Sequence, residues 1–117
     1  MITIYHKSNC STSLEALRLL KQNTKEEIKI IEYLFNTPTQ IELKHLLKML
    51  NLKAENLVRK KEAVYKEQFS DKKFTTAQWL KILNKNPILI ERPIIVKNEK
   101  AIIARPPEIL IDFIKNN

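Results

Sequence analysis

The 117-residue chain is 44% hydrophobic, carries a formal net charge of +8, and has one cysteine and no glycine. A chain of this length builds one hydrophobic core and is too short for two. The lack of glycine excludes a glycine-rich phosphate loop and a dinucleotide fingerprint, and no apolar run of about 18 residues is present to cross a bilayer. Met1-Ile2-Thr3-Ile4-Tyr5 shows none of the features of a secretory signal, and one cysteine makes no internal disulfide, so a soluble protein of a reducing cytoplasm is expected. The positive charge attracts anions in general. Its spread along the chain from Lys21 to Lys115 reads first as solvated helix faces.

Residues 2–5 are β-prone and run into the polar stretch His6-Lys7-Ser8-Asn9-Cys10-Ser11-Thr12-Ser13. Leu14, Leu17 and Leu20, with Ala16 beside them, recur at helical spacing and predict a helix from near Thr12 to Asn23. Ile28 to Leu34 reads as a second strand, which makes a β-α-β unit with parallel pairing. After the turn at Asn36-Thr37-Pro38, Thr39 and Glu42 have the spacing of a capping box ahead of Ile41, Leu43, Leu46, Leu47 and Leu50. Shorter helical pieces are expected at Leu57-Val58 and at Val64–Glu67. Thr75 or Thr76 caps a further helix carrying Trp79, Leu80, Ile82 and Leu83.

Ile94–Val96 and Ala101–Ala104 are two short strands around Lys97-Asn98-Glu99-Lys100, the pattern of a hairpin. Pro106 or Pro107 opens a last helix with Ile109, Leu110, Phe113 and Ile114 on its apolar face. The order is therefore β-α-β, a helical insertion over about 39–86, then β-β-α. It predicts a single α/β domain over 1–117 with a mixed sheet flanked by helices, compatible with a thioredoxin-like topology.

A lone cysteine is often a small buried hydrophobe. Polar residues surround Cys10, however, and it stands just before a helix whose free N–H groups and dipole favour a thiolate. His6 or Lys7 adds a further source of positive charge, and the same helix end suits a bound oxyanion. These features favour a reactive thiol over a structural one. Ser13 stands where a C-x-x-C motif needs its second thiol, so a dithiol mechanism is excluded. Ala16 stands where a phosphatase-type loop needs arginine.

Arg92 and Arg105 each precede a proline and flank the expected hairpin, and Arg59 follows an apolar helical segment. Guanidinium forks bind tetrahedral oxyanions at two points, so three of them converging would form an anion site. Taken singly, each arginine reads first as a surface or ion-pairing residue. His45 reads as a surface residue, and Trp79 and Tyr65 as packing residues rather than a platform for stacked bases.

Four blocks in this order, ITIYHKSNCSTS, LVRKKEAVYKE, NPILIERPIIV and ARPPEIL, resemble the glutaredoxin-dependent arsenate reductases, with the Spx stress regulators as more distant relatives. The resemblance implies a thioredoxin-like four-stranded sheet with a helical insertion between the second and third strands, and a cis bond before Pro93. It implies Cys10 as nucleophile, His6 as an aid to its ionisation, and Arg59, Arg92 and Arg105 as oxyanion ligands. It further implies a monomeric enzyme that reduces arsenate with glutathione as co-substrate and glutaredoxin as protein partner, with no bound cofactor, metal, membrane or nucleic acid. The family motif often has an arginine four residues after the cysteine, where this chain has Leu14. The alternatives are a non-enzymatic regulator of the Spx kind that binds RNA polymerase, or a related monothiol protein with another substrate. Spx proteins usually carry C-x-x-C and lack the RPPE-like block, so Ser13 and Arg105 favour the reductases.

Overall fold

Ile2, Ile4 and His6 alternate with Thr3 and Tyr5, and this period of two places the first three on one face of strand β1 (Ile2–His6). The computed structural model describes residues 1–117, and the chain divides into two compact units, residues 1–36 with 92–117 and residues 37–91. In the first unit β1 is followed by helix α1 (Ser11–Asn23) and strand β2 (Ile28–Glu32). β1 pairs in parallel with β2, as the β-α-β pattern predicts. Phe35 and Asn36 donate their N–H groups back to the Glu32 carbonyl at 2.9 and 2.8 Å. That turn ends β2 two residues before the expected Leu34.

The hairpin forms from β3 (Ile94–Lys97) and β4 (Lys100–Ile103), and the sheet has the order β2-β1-β3-β4 with β3 antiparallel to both neighbours. This is the expected mixed, thioredoxin-like sheet. With no glycine available, Asn98 and Glu99 themselves take φ of 51° and 63° at the hairpin turn, the left-handed geometry that a two-residue turn of this hand requires. Helix α5 (Ile109–Asn116) closes the unit. It starts later than the prolines suggested, because Ile109 and Leu110 bond to the Pro106 and Pro107 carbonyls three residues back, a turn rather than an α-helix. The bonds before Pro93 and before Pro106 are both cis. Ile2 and Ile4, Ile95, Ala16, Leu19 and Leu20 of α1, and Leu110 and Ile114 of α5 form one buried cluster. His6 lies on that same face, one step beyond Ile4 toward the start of α1.

The second unit is helical, with α2 (Gln40–Leu50), α3 (Ala63–Gln68) and α4 (Thr76–Lys85), and short 3₁₀ turns at Ala54–Leu57 and Pro87–Leu89. Thr39 with Glu42, and Thr75 with Gln78, form complete capping boxes. Leu43, Leu46 and Leu47 of α2 and Trp79, Leu80 and Leu83 of α4 are buried. Trp79 is indeed a packing residue, but it has aromatic neighbours that the sequence reading did not see. Phe74 meets it edge-on at 4.8 Å and Phe69 lies at 6.4 Å. Val58 and Ile90 form an isolated antiparallel bridge, extended by a 2.6 Å bond from the Arg59 N–H to the Leu89 carbonyl.

Leu20 is fully buried between β1, α1 and α5. Leu20→Ala should cost about 2–5 kcal/mol, read as a lowered denaturant midpoint with unchanged slope; a loss below about 1 kcal/mol would contradict this packing.

Candidate active site

The site is built where β1 runs out and α1 begins. Cys10 is the residue ahead of the first turn of α1, with extended φ and ψ of −105° and 120°. No side-chain oxygen caps this helix. The backbone N–H groups of Ser13 and Thr12 instead face the Cys10 sulfur. The loop is closed by a 3.0 Å bond from the Cys10 N–H to the Lys7 carbonyl, and the Cys10 carbonyl accepts from the Leu14 N–H at 2.9 Å.

Ser13 anchors this turn. It is fully buried, and its hydroxyl oxygen lies 2.6 Å from His6 Nδ1 and 3.2 Å from the Lys7 N–H. His6 is itself 3% exposed. Burial pushes the imidazole below its ordinary pKa, against a smaller upward effect of the Glu32 carboxylate. The Ser13 hydroxyl accepts from the Lys7 N–H and also hydrogen-bonds His6 Nδ1, a bond it can make with either neutral tautomer because a hydroxyl has one donor and two acceptor sites. His6 thus meets Ser13 and makes no hydrogen bond to the sulfur.

Two guanidinium groups complete the site. Arg105 donates from Nε to the Arg92 carbonyl at 2.7 Å, from Nη1 to Thr12 Oγ1 at a long 3.5 Å, and from Nη2 to Cys10 Sγ at 3.9 Å. Arg92 is only 6% exposed. Burial works against its charge, but the Tyr33 hydroxyl and the Cys10 sulfur facing it hold its pKa above the ordinary arginine value. The Cys10 thiol is shifted the opposite way. Burial alone would raise it, and the Ser13 N–H, the Arg92 hydrogen bond and charge, and the Thr12 N–H together bring it below its ordinary value.

Cys10, His6, Arg92 and Arg105 are therefore brought together in the first unit. Arg59 lies in the helical unit, where its Nε pairs with Glu62 at 3.1 Å and its Nη1 with Glu91 at 3.6 Å. Ser13, Thr12 and Tyr33 were missed as site residues. The fully buried Tyr33, directly after β2, had one available signal, a large polar aromatic at the C-terminal end of a parallel strand. No group of three His, Cys, Asp or Glu side chains is placed to hold a metal ion, and no helix is long and apolar enough to cross a membrane.

A thiol on a helix N-terminus beside two guanidiniums is a place for an oxyanion, and the sequence pattern of the ArsC family matches residues 5–113. The chain belongs to the ArsC family. It is 39% identical to the Uncharacterized protein YfgD of Escherichia coli (strain K12), over 97% of this chain and 96% of that one. It is 34% identical to an arsenate reductase of Escherichia coli, over 98% of this chain and 82% of the relative. Among solved structures, an arsenate reductase from Vibrio cholerae superposes with a TM-score of 0.89 at 36% identity, covering 95% of each chain.

Arg92 supplies both a hydrogen bond and a charge to the sulfur, so Arg92→Met should move the Cys10 titration upward. Iodoacetamide alkylation followed against pH should reach half its maximum below the ~8.5 of a free thiol in the natural chain and at a higher pH in the variant. Equal midpoints would remove Arg92 from the thiolate's surroundings.

Proposed function

We propose that this ArsC-family chain is a thiol-dependent oxidoreductase that reduces arsenate to arsenite through Cys10, with glutathione as co-substrate and glutaredoxin as the protein that renews the thiol. The observation that carries the reading is the Cys10 sulfur, set at the open end of α1 against Arg105 and Arg92. Relatives named arsenate reductase, similar over nearly the whole of this chain, support the choice of oxyanion.

In this reading Arg105 and Arg92 hold the arsenate oxygens while the Cys10 thiolate donates an electron pair to As(V). A sulfur–arsenic bond forms, and one arsenate hydroxyl leaves as water after taking a proton from solvent. Glutathione then attacks the Cys10 sulfur. A sulfur–sulfur bond forms as the sulfur–arsenic bond breaks, and its electron pair stays on arsenic, which departs as As(III) arsenite. Arsenic has gained two electrons, and two thiols have become one mixed disulfide. Ser13 offers no second thiol, so a glutaredoxin thiol must attack the glutathione sulfur and expel the Cys10 thiolate.

His6 acts as a positioning residue through Ser13, whose N–H faces the sulfur. Arg59 enters as a third oxyanion ligand only through the resemblance of its sequence block, and Glu62 and Glu91 compete with that anion for its guanidinium. A cytoplasmic monomer is the setting this reading implies.

Incubation with arsenate and glutathione alone should release one equivalent of arsenite and leave one glutathione on Cys10 in the intact mass, and glutaredoxin should remove that adduct and sustain arsenite release. Arsenite formed without any external thiol, or by Cys10→Ser, would refute the mechanism. No adduct and no arsenite with any reductant would favour the regulator instead.

Arg105 holds three partners in one planar fork, which lysine does not reproduce. Arg105→Lys should lower kcat/KM by about ten- to a hundredfold while thermal unfolding stays close to that of the natural chain. Unchanged kinetics would take Arg105 out of the site.

A further inference from the structure

The helical unit contains a groove of about 810 Å³ beside α2 that the proposed chemistry does not use. Its apolar wall is formed by Ile41, Leu47 and Leu52, and its rim by Lys44, Lys48 and Lys53. Ile41, Lys44 and Lys48 follow one another at i, i+3 and i+7 and so form a single stripe on α2, opposed to the buried Leu43 and Leu46. Ile41 is 83% exposed, a large apolar side chain at the mouth of a basic groove. None of the three lysines has a carboxylate partner. Glu42 is committed to the capping box with Thr39, and Glu55 to Lys60.

The chemistry of the lining selects among anionic partners. A single nucleic-acid strand is held by a series of aromatic faces on which successive bases stack, and this groove has one ring in its lining, the His45 imidazole, and no Phe, Tyr or Trp. A small oxyanion needs convergent buried donors, whereas these cations stand on the rim on flexible stems. A bilayer takes up a helix that presents a broad apolar face to it, whereas α2 turns Leu43, Leu46 and Leu47 inward and exposes one large aliphatic side chain, Ile41. The combination that remains is an apolar trough with cations on its edge. It is the complement of a helix that carries one or two large aliphatic anchors flanked by Asp or Glu, the helix-in-groove mode of recognition. The lysine stems extend the apolar wall while their ammonium groups stay in water.

We propose that the groove beside α2 docks an acidic amphipathic helix of another protein, with its aliphatic anchors against Ile41, Leu47 and Leu52 and its carboxylates on Lys44, Lys48 and Lys53. The contact is of the kind that charge steers and apolar burial retains. It stands apart from the oxyanion chemistry at Cys10, so it survives or fails independently of the proposed reduction.

The test uses the full chain, ¹⁵N-labelled, titrated with a synthetic helical peptide that has leucines on one face and glutamates beside them. The controls are a scrambled peptide of the same composition and a single-stranded oligonucleotide. Amide shifts confined to the groove residues of 41–54 and to Thr76, with the scrambled peptide at least about tenfold weaker, a difference of about 1.4 kcal/mol, are the expected result. Lys44→Glu with Lys48→Glu, and separately Ile41→Ser, should each weaken the peptide about tenfold and leave the unfolding midpoint and the reactivity of Cys10 unchanged. Equal binding of the scrambled peptide, stronger binding of the oligonucleotide, shifts elsewhere on the chain, or variants that bind as well as the natural protein would each overturn the proposal. So would sedimentation showing that the protein fills the groove with a second copy of itself.

Discussion

The Arg105 guanidinium is where three distant stretches of this chain are tied together. Its Nε holds the carbonyl of Arg92, its Nη1 the hydroxyl of Thr12 and its Nη2 the sulfur of Cys10, and a 2.9 Å bond from the Ala104 N–H to the Pro93 carbonyl runs beside it. Cys10 and Arg105 are 95 residues apart in sequence. The entropy of closing so long a loop is met by the sheet. β1 pairs with β3, β3 pairs with β4, and the segments that leave these strands have little freedom over where they go. The geometry around the sulfur is thus a consequence of strand order, and the core beneath β1 is part of the chemistry.

The electrostatics close in the same small volume. A guanidinium buried as deeply as that of Arg92 carries a desolvation cost that only close partners offset, and Tyr33 and Cys10 are the groups that face it. The contact between Arg92 and Cys10 contributes to both shifts, beside Tyr33 in raising Arg92 and the Ser13 N–H in lowering Cys10. Arsenate brings additional negative charge toward a thiolate, an approach that mutual repulsion opposes. Under the proposed mechanism the second guanidinium, on Arg105, lets nucleophile and substrate share one site, since a single arginine would have to serve both.

Those elements that rest on local chemistry were legible in the sequence. The hydrophobic spacing of α1, the β-branched hairpin strands and the Thr39–Glu42 capping box each depend on residues a few positions apart. The start of α5 was read too early because a proline pair suits both a helix's first turn and the tight turn that precedes it. The meeting of Cys10 with Arg105 was open only to resemblance, because no periodicity links positions so far apart. Tyr33 and Ser13 were not recognised as site residues for another reason. Their importance lies in burial and in the directions of single hydrogen bonds, which residue type alone does not reveal.

Ser13 shows how one position meets two demands. A cysteine there would give a resolving thiol but a poor acceptor, since sulfur accepts hydrogen bonds weakly. The hydroxyl takes the Lys7 N–H and engages His6 Nδ1 within 3.2 Å, and this fixes the first turn so that the Ser13 N–H faces the Cys10 sulfur. The arrangement that prepares the thiolate therefore removes the internal route for relieving it. Under the proposed mechanism, dependence on an external thiol follows from the same side chain that orders the nucleophile. It follows as well that the Cys10 sulfur must stay open to a second molecule, which agrees with its standing half-buried at the surface while His6, Ser13 and Arg92 beneath it are closed off from water.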